Sequence, residues 1–395
     1  MTPQARVQAA IEILDEVVNA ARGNGAAADT IVARYFKTRR YAGSKDRRGV
    51  RDLVYRAIRT FGEPPASGRA AMIGLAQGDA DILASFGADG HAPPAIGDSE
   101  IATEPAIVPA WLRKRLPKWL DDAELAALLD RAPLDLRVNR LKSDVATVRE
   151  AFPEAEPIAC LADGLRLPHG TRVDDRAAYH DGLVEIQDAG SQLIVEACAA
   201  KPGKTVVDLC AGAGGKTLAL AAAMNGEGRL IACDAIRSRF APLPERATRA
   251  GASVETRLLD MNRENEALDD LLGTVDLVLV DAPCSGTGTW RRNPESRWRI
   301  TPAMIRSLAS EQARLLDIAA SLVRPGGRIV YAVCSLVEEE GPDRVDAFLS
   351  RHSGWSRDDA GSAGRRAGAG RVLSPAHDGC DGFFFAALKA NDASA

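Results

Sequence analysis

Two cysteines of this chain stand where a thiol can do covalent chemistry. Cys284 lies in the string Asp281-Ala-Pro-Cys-Ser-Gly-Thr-Gly, and Cys334, 50 residues further on, lies in Tyr331-Ala-Val-Cys-Ser. Each follows a hydrophobic run typical of a strand, and open α/β sheets bind ligands at the carboxyl ends of their strands. The pair therefore predicts one shared crevice, with covalent chemistry on an electron-poor ring as the leading hypothesis.

A glycine-rich loop precedes the cysteines. It runs Asp208-Leu-Cys-Ala-Gly-Ala-Gly-Gly-Lys-Thr217 between an apolar run and a helix predicted over 218–224. Glycines let a ligand approach the backbone, and a helix N-terminus adds a positive end. Because Cys210 occupies a position where the phosphate-binding GxxxxGK[ST] motif requires glycine, a nucleoside without phosphates fits better than ATP.

Three aspartates, Asp234, Asp260 and Asp281, stand at the predicted ends of successive strands. Asp234 follows Lys216 by 18 residues, at the place where such folds put a carboxylate on ribose hydroxyls. An aspartate at a strand-to-helix turn is more commonly a helix N-cap. The coincidence of all three with the glycine-rich loop favours a nucleoside pocket.

The elements that must position these residues alternate between strands and helices after residue 201. Continuous apolar runs are typical of a parallel sheet covered on both faces, and they lie at 205–210, 229–233, 254–259, 275–280 and 328–333. We predict an α/β fold with a Rossmann-like doubly wound sheet. The run 382–389 is expected to be an edge strand, and the Gly/Ala/Arg segment 361–370 a mobile loop.

The earlier part of the chain has a different pattern. Apolar residues recur at helical spacing in 7–18 and 50–58, which predicts an all-helical domain over 1–130. Residues 131–195 combine short strands with a helix and predict a small α+β subdomain. The catalytic domain is then expected over 196–395.

The helical part carries a concentration of positive charge. Between Arg34 and Arg59, ten Arg and Lys residues are offset only by Asp46 and Asp52, and four aromatic residues are interleaved. A solvated helix face is the ordinary interpretation of such a run. Its single sign and its aromatic residues suit phosphate neutralisation and base stacking, so we favour contact with RNA.

A second basic and aromatic segment follows the first cysteine motif and contains Trp290, Arg291, Arg292, Arg297, Trp298 and Arg299. A solvated surface loop is one interpretation of this segment. Guanidinium groups and indoles also hold splayed-out single strands, and we favour substrate binding.

Composition restricts the remaining possibilities. The 395 residues, 46% of them hydrophobic, suffice for two or three domains, and a net charge of -4 argues against uniform attraction to nucleic acid. Seven cysteines without a CxxC pair or zinc spacing predict reduced thiols and no metal site. We expect a cytoplasmic protein without a membrane segment, and nothing in the chain demands more than a monomer.

Six motifs in order resemble those of the RNA (cytosine-5) methyltransferases, in particular the Fmu/Sun (RsmB-like) branch that acts on small-subunit ribosomal RNA. They are the glycine-rich loop, the two cysteine motifs, Arg291-Arg-Asn-Pro-Glu-Ser-Arg-Trp, Pro325-Gly-Gly and Asp381-Gly-Phe-Phe. The resemblance extends through Arg137-Val-Asn and Gln187-Asp188, and the helical part is similar to the antitermination-factor-like RNA-binding domain of that branch. The chain has Gly212-Ala213 where the family usually has Ala-Pro, and Val333 where it usually has Thr.

The resemblance implies S-adenosyl-L-methionine as the cofactor and RNA, most of all small-subunit ribosomal RNA, as the partner. Asp234 would bind the ribose, Arg239 would support the ribose-binding side of the pocket, and Asp260 would lie near the adenine. The implied cofactor set is completed by Cys210, Ala211, Gly212, Ala213, Gly214, Gly215, Lys216 and Asp281.

The resemblance also implies a catalytic set. Cys334 would add to carbon 6 of cytosine, Cys284 would assist release, and Asp281 would hydrogen-bond the N3/N4 edge of the ring. Lys216 would favour the thiolate or orient the base, since a nearby cation lowers the pKa of a thiol. DNA cytosine methyltransferases use the cysteine of a Pro-Cys pair as nucleophile, so Cys284 after Pro283 is the alternative nucleophile. The motifs around both cysteines resemble those of the RNA family, which favours Cys334.

Two other functions are considered. A non-catalytic RNA-binding assembly factor would need neither thiol, so the presence of Lys216, Asp281, Cys284 and Cys334 together argues against it. A methyltransferase acting on protein or small molecules is disfavoured by the basic helical segment.

Overall fold

The computed structural model describes residues 1–23 and 25–392, and the chain divides into two units. The first unit is Met1–Asp130 with Thr289–Thr301, and the second is Arg131–Gly288 with Pro302–Ala395. Residue 24 of the predicted helical domain and residues 393–395 of the predicted catalytic domain lie outside the described part. We keep the division into 1–130, 131–195 and 196–395 as a proposal.

The described part of the first unit is built from helices. They are α1 (Pro3–Arg22), α2 (Ala28–Lys37), α3 (Ser44–Thr60), α4 (Gly68–Ala76), α5 (Ala80–Leu83), α6 (Ala110–Arg113), α7 (Asp122–Ala127) and a 3-10 turn at Pro294–Trp298. Helix α1 buries one apolar face that includes Ile13 and Leu14, and the Ser67 hydroxyl caps α4 by accepting from the Ala70 amide at 3.1 Å. Within the described ranges, no helix has the length and apolarity to cross a bilayer.

The second unit begins with a small antiparallel sheet of order β2-β3-β1-β4. Its elements are β1 (Leu134–Val138), α8 (Val145–Ala151), β2 (Glu156–Pro157), β3 (Gly164–Leu167), α9 (Ala177–His180) and β4 (Val184–Ile186). The sheet has its own buried core, which includes Leu136, Phe152 and Leu165. The Asn139 side-chain amide ties it to the rest of the unit by donating to the Ala250 carbonyl at 2.8 Å.

The rest of the second unit is a large sheet with its helices. The elements are α10 (Ala189–Cys198), β5 (Lys204–Asp208), α11 (Gly215–Ala223), β6 (Gly228–Asp234), α12 (Arg237–Phe240), α13 (Leu243–Ala250), β7 (Glu255–Leu258), α14 (Glu264–Leu268), β8 (Val275–Asp281), α15 (Pro302–Leu322), β9 (Val323–Val333), α16 (Pro342–Arg351), β10 (Trp355–Arg357), β11 (Arg365–Ala367), β12 (Gly370–Leu373), α17 (Pro375–Asp378) and β13 (Phe383–Ala390).

The sheet runs β11-β12-β13-β9-β8-β5-β6-β7, and its strands from β9 to β7 are parallel. Central strands such as β5 and β8 are covered on both faces, which is why their sequences are continuous apolar runs. Val206, Val207 and Leu279 are examples of their buried residues. The strand order reverses at β5, with β6 and β7 on one side and β8 and β9 on the other. This is a Rossmann-like doubly wound sheet, which confirms the predicted α/β fold class.

Two local predictions are wrong. The run predicted as an edge strand, β13, lies inside the sheet, paired with β9 on one side and with β10 and β12 on the other. Its uninterrupted burial from Phe383 to Leu388 fits that interior position. The segment 361–370 is not wholly a loop, because β11 pairs with β12 in a hairpin whose turn contains Gly368 at a φ of +54°.

Candidate active site

The carboxyl ends of four neighbouring parallel strands carry the side chains that could bind a ligand or react with one. Asp208 ends β5, Asp234 ends β6, Asp281 ends β8, and Cys334 follows β9 directly. Strands β5 and β8 are neighbours at the reversal of strand order, which is where doubly wound sheets bind ligands. Among the described residues, no three His, Cys, Asp or Glu side chains form a group that could hold a metal ion.

The glycine-rich loop connects β5 to α11 along this edge. Gly212 and Gly214 have φ angles of +52° and +85°, a region that glycine enters without strain. A Cβ atom on Gly214 would stand 2.1 Å from Cδ1 of Leu243, so any side chain there would require Leu243 to move. The Gly212 amide donates to Oδ2 of Asp234 at 2.8 Å, which fixes the loop to the end of β6.

Other members of the predicted cofactor set lie around this loop. Asp234 accepts a second hydrogen bond, at Oδ1 from the Ile236 amide at 2.7 Å. Arg239 is exposed, and its Nη2 lies 3.7 Å from the position of a Cβ on Gly212. Asp260 follows β7, is exposed, and makes no side-chain hydrogen bond within the described residues. Cys210, Ala211, Ala213 and Gly215 occupy the loop itself and the first position of α11.

Lys216, in the first turn of α11, reaches across to the next strand. Its Nζ lies 2.7 Å from Oδ2 of Asp281, and the lysine side chain is only 11% exposed. Burial alone would lower the pKa of Lys216, but the negative charges of Asp281, Cys334 and Asp208 raise it above its ordinary value. The ammonium group therefore persists at neutral pH beside the two strand ends.

The two cysteines of the sequence motifs are brought together. The Sγ atoms of Cys284 and Cys334 lie 3.4 Å apart, a hydrogen-bonding separation well beyond the roughly 2.05 Å of a disulfide. Both residues are half-buried. The hydrogen bond to Cys334, then burial, then the charges of Cys334 and Glu340 raise the pKa of Cys284 well above its ordinary value. This favours Cys284 as the protonated member of the pair.

Sequence reasoning missed a buried polar cluster behind the cysteines. Its side chains share complete or nearly complete burial and mutual hydrogen bonds, and they are Ser285, Thr287, Gln312, Ser335 and Glu340. Two signals could have indicated it. A serine directly follows each motif cysteine, and the acidic run Glu338–Glu340 comes shortly after the second motif.

Two residues of the Arg/Trp segment, Arg297 and Trp298, are buried and cannot hold RNA as the sequence predicts. Arg297 is fully buried, and its Nη2 donates to the carbonyls of Ile58, of Arg59 at 2.9 Å and of Phe61 at 3.0 Å. Trp298 Nε1 also donates to the Phe61 carbonyl, at 2.7 Å. The last carbonyls of a helix lack intrahelical partners, and this guanidinium satisfies those at the end of α3. The prediction of substrate binding is wrong for Arg297 and Trp298.

The basic segment on α2 and α3 is only partly neutralised. Arg34 pairs with Glu16 at 2.8 Å, and Arg39 pairs with Glu12 at 3.4 Å. The exposed cations of this segment that have no acidic partner in the described part of the chain are Lys37, Arg40, Lys45, Arg47, Arg48 and Arg51. An exposed positive surface therefore persists in the first unit.

The fold and the strand-end residues define a Rossmann-like methyltransferase domain. A family model described as 16S rRNA methyltransferase RsmB/F matches residues 195–389. Ribosomal RNA small subunit methyltransferase B of Xylella fastidiosa is 32% identical over 309 residues, which cover 73% of this chain and 68% of that protein. The chain belongs to the RsmB/F family.

Other relatives give the extent of the similarity. A probable ribosomal RNA small subunit methyltransferase B of Synechocystis is 32% identical over 296 residues, or 71% of this chain, and the match spans only 66% of that relative's length. The crystal structure of PH0851 superposes with a TM-score of 0.73 at 23% identity, covering 98% of this chain and 99% of that one. A methyltransferase homologue from Pyrococcus horikoshii superposes with a TM-score of 0.63 at 25% identity, covering 71% and 94%.

Proposed function

We propose that the protein methylates carbon 5 of a cytosine in RNA, with S-adenosylmethionine as methyl donor and small-subunit ribosomal RNA as substrate. The observation that carries the proposal is the pair of thiols 3.4 Å apart at the carboxyl edge of the sheet. Binding alone needs no thiol, whereas cytosine methylation needs one sulfur to attack and a way to release it.

The residues along the glycine-rich loop fit S-adenosylmethionine. The loop needs glycine at Gly214, because its φ is +85° and a Cβ there would lie 2.1 Å from Cδ1 of Leu243, and glycines at such turns leave the neighbouring backbone amides open to a ligand. Asp234 and Asp260 offer acceptors for ribose hydroxyls and an adenine amino group, and Arg239 stands beside Gly212. When bound, S-adenosylmethionine supplies a methyl group on a positively charged sulfur.

The protein's own task is to make carbon 5 of cytosine nucleophilic. The Cys334 thiolate forms a bond to carbon 6, and the electron pair displaced from the 5,6 double bond activates carbon 5. The Lys216 ammonium favours negative charge on Cys334. Asp281, which accepts a 2.7 Å hydrogen bond from Lys216, would hydrogen-bond the N3/N4 edge of the ring.

Release requires loss of the hydrogen on carbon 5 and cleavage of the bond between carbon 6 and sulfur. The departing Cys334 sulfur takes the bonding electrons and can accept a proton. Cys284 lies 3.4 Å away and, with its raised pKa, gives its proton to that sulfur. The Cys284 thiolate so formed takes the proton that leaves carbon 5, and the electrons of that carbon–hydrogen bond re-form the 5,6 double bond. Without Cys284, the protein should remain bonded to its product.

Support for RNA as the substrate comes from two sides. The curated relatives are named as ribosomal RNA small subunit methyltransferases, and Lys37, Arg40, Lys45 and Arg48 present unneutralised charge on the helical unit. We propose that the protein acts on this RNA as a monomer.

The test is incubation with labelled S-adenosylmethionine and unmodified small-subunit RNA, followed by detection of 5-methylcytosine. Cys334→Ala should abolish methylation, and Cys284→Ala should accumulate a protein–RNA adduct that survives denaturation. Cys160→Ala, at an exposed cysteine outside the site, is the matched control and should behave as the unmodified protein. The reverse pattern would exchange the two roles, and a folded protein that methylates no RNA would refute the proposal.

A further inference from the structure

We propose that Glu340 is a positioning residue whose buried carboxylate binds both cysteine loops and sets the separation of the two thiols. The role of Glu340 in catalysis rests on the proposed function, whereas its effect on the position and pKa of the thiols does not. Glu340 is fully buried in the 3-10 turn Glu338–Glu340 that follows the second cysteine motif.

One carboxylate binds the residue after each cysteine. Oε1 of Glu340 accepts from the Ser285 amide at 2.8 Å, and Oε2 accepts from the Ser285 hydroxyl. Oε2 also accepts from the Ser335 hydroxyl at 2.6 Å. Because Ser285 and Ser335 directly follow Cys284 and Cys334, these bonds hold the backbones that carry the two sulfur atoms.

Glu340 is itself held in place from two other elements. Gln312 on α15 donates from Nε2 to Oε1 of Glu340 at 3.2 Å and to the Pro283 carbonyl at 2.9 Å. The Tyr331 hydroxyl on β9 donates to the Glu340 carbonyl at 2.7 Å. The cluster is therefore fixed to the framework of the sheet, so a change at Glu340 is transmitted to both loops.

The charge of Glu340 acts on the nearby Cys284 thiol. All four groups bound to its carboxylate are donors, as an ionised carboxylate requires, and none of these partners in the described structure is a cation. A negative charge in such a dry site disfavours a second one nearby. Glu340 is accordingly among the groups that raise the pKa of Cys284.

Three variants separate the geometric effect from the charge effect. Glu340→Gln keeps the shape and removes the charge, since the serine hydroxyls can rotate to accept from the new amide. Glu340→Ala removes both. Glu338→Gln makes the same charge change at an exposed position of the same turn and is the matched control.

The first readout is the thiol itself. In a Cys334→Ala background, the rate of Cys284 alkylation by iodoacetamide is followed against pH, with the modified peptide identified by mass spectrometry. Glu340→Gln should move the midpoint of this profile to lower pH, and Glu338→Gln should leave it in place. An unchanged profile in Glu340→Gln would overturn the assignment of charge control.

The second readout is catalysis with both cysteines present. Glu340→Ala should lower kcat by on the order of 100-fold, because misplacing reacting groups by about 1 Å has that effect, while KM for S-adenosylmethionine stays constant. Glu340→Gln should retain more activity than Glu340→Ala and shift the pH profile of kcat. A fall in kcat that matches the loss of folded protein, or an equal fall in Glu338→Gln, would refute a positioning role. If the unmodified protein methylates no RNA, the proposed function fails, and the alkylation profile still decides this inference.

Discussion

Asp208 is a carboxylate whose removal should stabilise the protein. It is fully buried at the end of β5, where Oδ2 accepts a 2.7 Å hydrogen bond from Thr217 and Oδ1 has no partner within the described residues. Burial is the main cause that raises the pKa of Asp208 to about 7, with Asp281 adding to it and Thr217 and Lys216 opposing it. Asp208→Asn keeps the shape and the acceptor for Thr217 but cannot ionise.

The magnitude follows from the two pKa values. An unfolded aspartate has a pKa of about 3.9, so the folded value is higher by about 3, and each pH unit is worth about 1.36 kcal/mol. Ionised Asp208 thus costs the folded state about 4 kcal/mol above pH 7. Because the folded state binds this proton more tightly, stability falls as the pH rises from about 4 to about 7 and is then constant.

Calorimetric unfolding of Asp208→Asn and of the unmodified protein tests this reasoning. The gain in Tm should be on the order of 10 °C near pH 8 and should shrink towards pH 4. Asp276→Asn is the control, for which we expect a change in stability of the opposite sign. Burial alone would raise the pKa of Asp276, but its bonds to the Thr205 amide and to Arg324 and Lys204 lower it, so this variant should lose stability above pH 4. An Asp208→Asn protein no more stable than the unmodified one near pH 8 would refute the argument.

Two further substitutions test the contacts of Arg297 and the glycine-rich loop. Arg297→Met leaves the buried Ile58 carbonyl without this donor and removes one of the two side-chain donors to the Phe61 carbonyl, so it should destabilise the first unit by about 2 kcal/mol, seen as faster proteolysis of its helices, with partial rescue by Arg297→Lys. Gly214→Ala should weaken binding of S-adenosylmethionine at least about tenfold by calorimetric titration, since about 1.4 kcal/mol of strain suffices and its Cβ would overlap Leu243. Gly203→Ala, at a similar φ of +75° but with open space around it, is the control and should bind normally.

The parallel strands and the loop at their ends could be predicted because their signals are local. A strand buried on both faces must be apolar throughout, and β6 and β8 lie within a residue of the predicted runs. The glycine-rich loop was located because only glycine takes the φ angles of Gly212 and Gly214 without strain. The roles of the site residues stay predictions.

What could not be predicted depends on partners distant in sequence. The interior position of β13 is set by its pairing with β9 and β12, which no local pattern encodes. Arg297 is of a residue type that often contacts nucleic acid, but it donates to the carbonyls of Ile58 and Phe61 around the end of α3, 236 to 239 residues away. Glu340 belongs to an acidic run that looks like surface, and only the fold places it behind the cysteines.

The choice between the two cysteines also depends on such distant partners. Sequence leaves Pro283-Cys284 as an alternative nucleophile, since each thiol stands in a motif after a strand. In the folded chain the Lys216 ammonium interacts with Cys334, and the Glu340 carboxylate disfavours charge on Cys284. The raised pKa of Cys284 favours the protonated state of that thiol, and this is the asymmetry between the two cysteines. Because the thiolate is the attacking species, this asymmetry supports Cys334 as the nucleophile and leaves Cys284 as the proton donor.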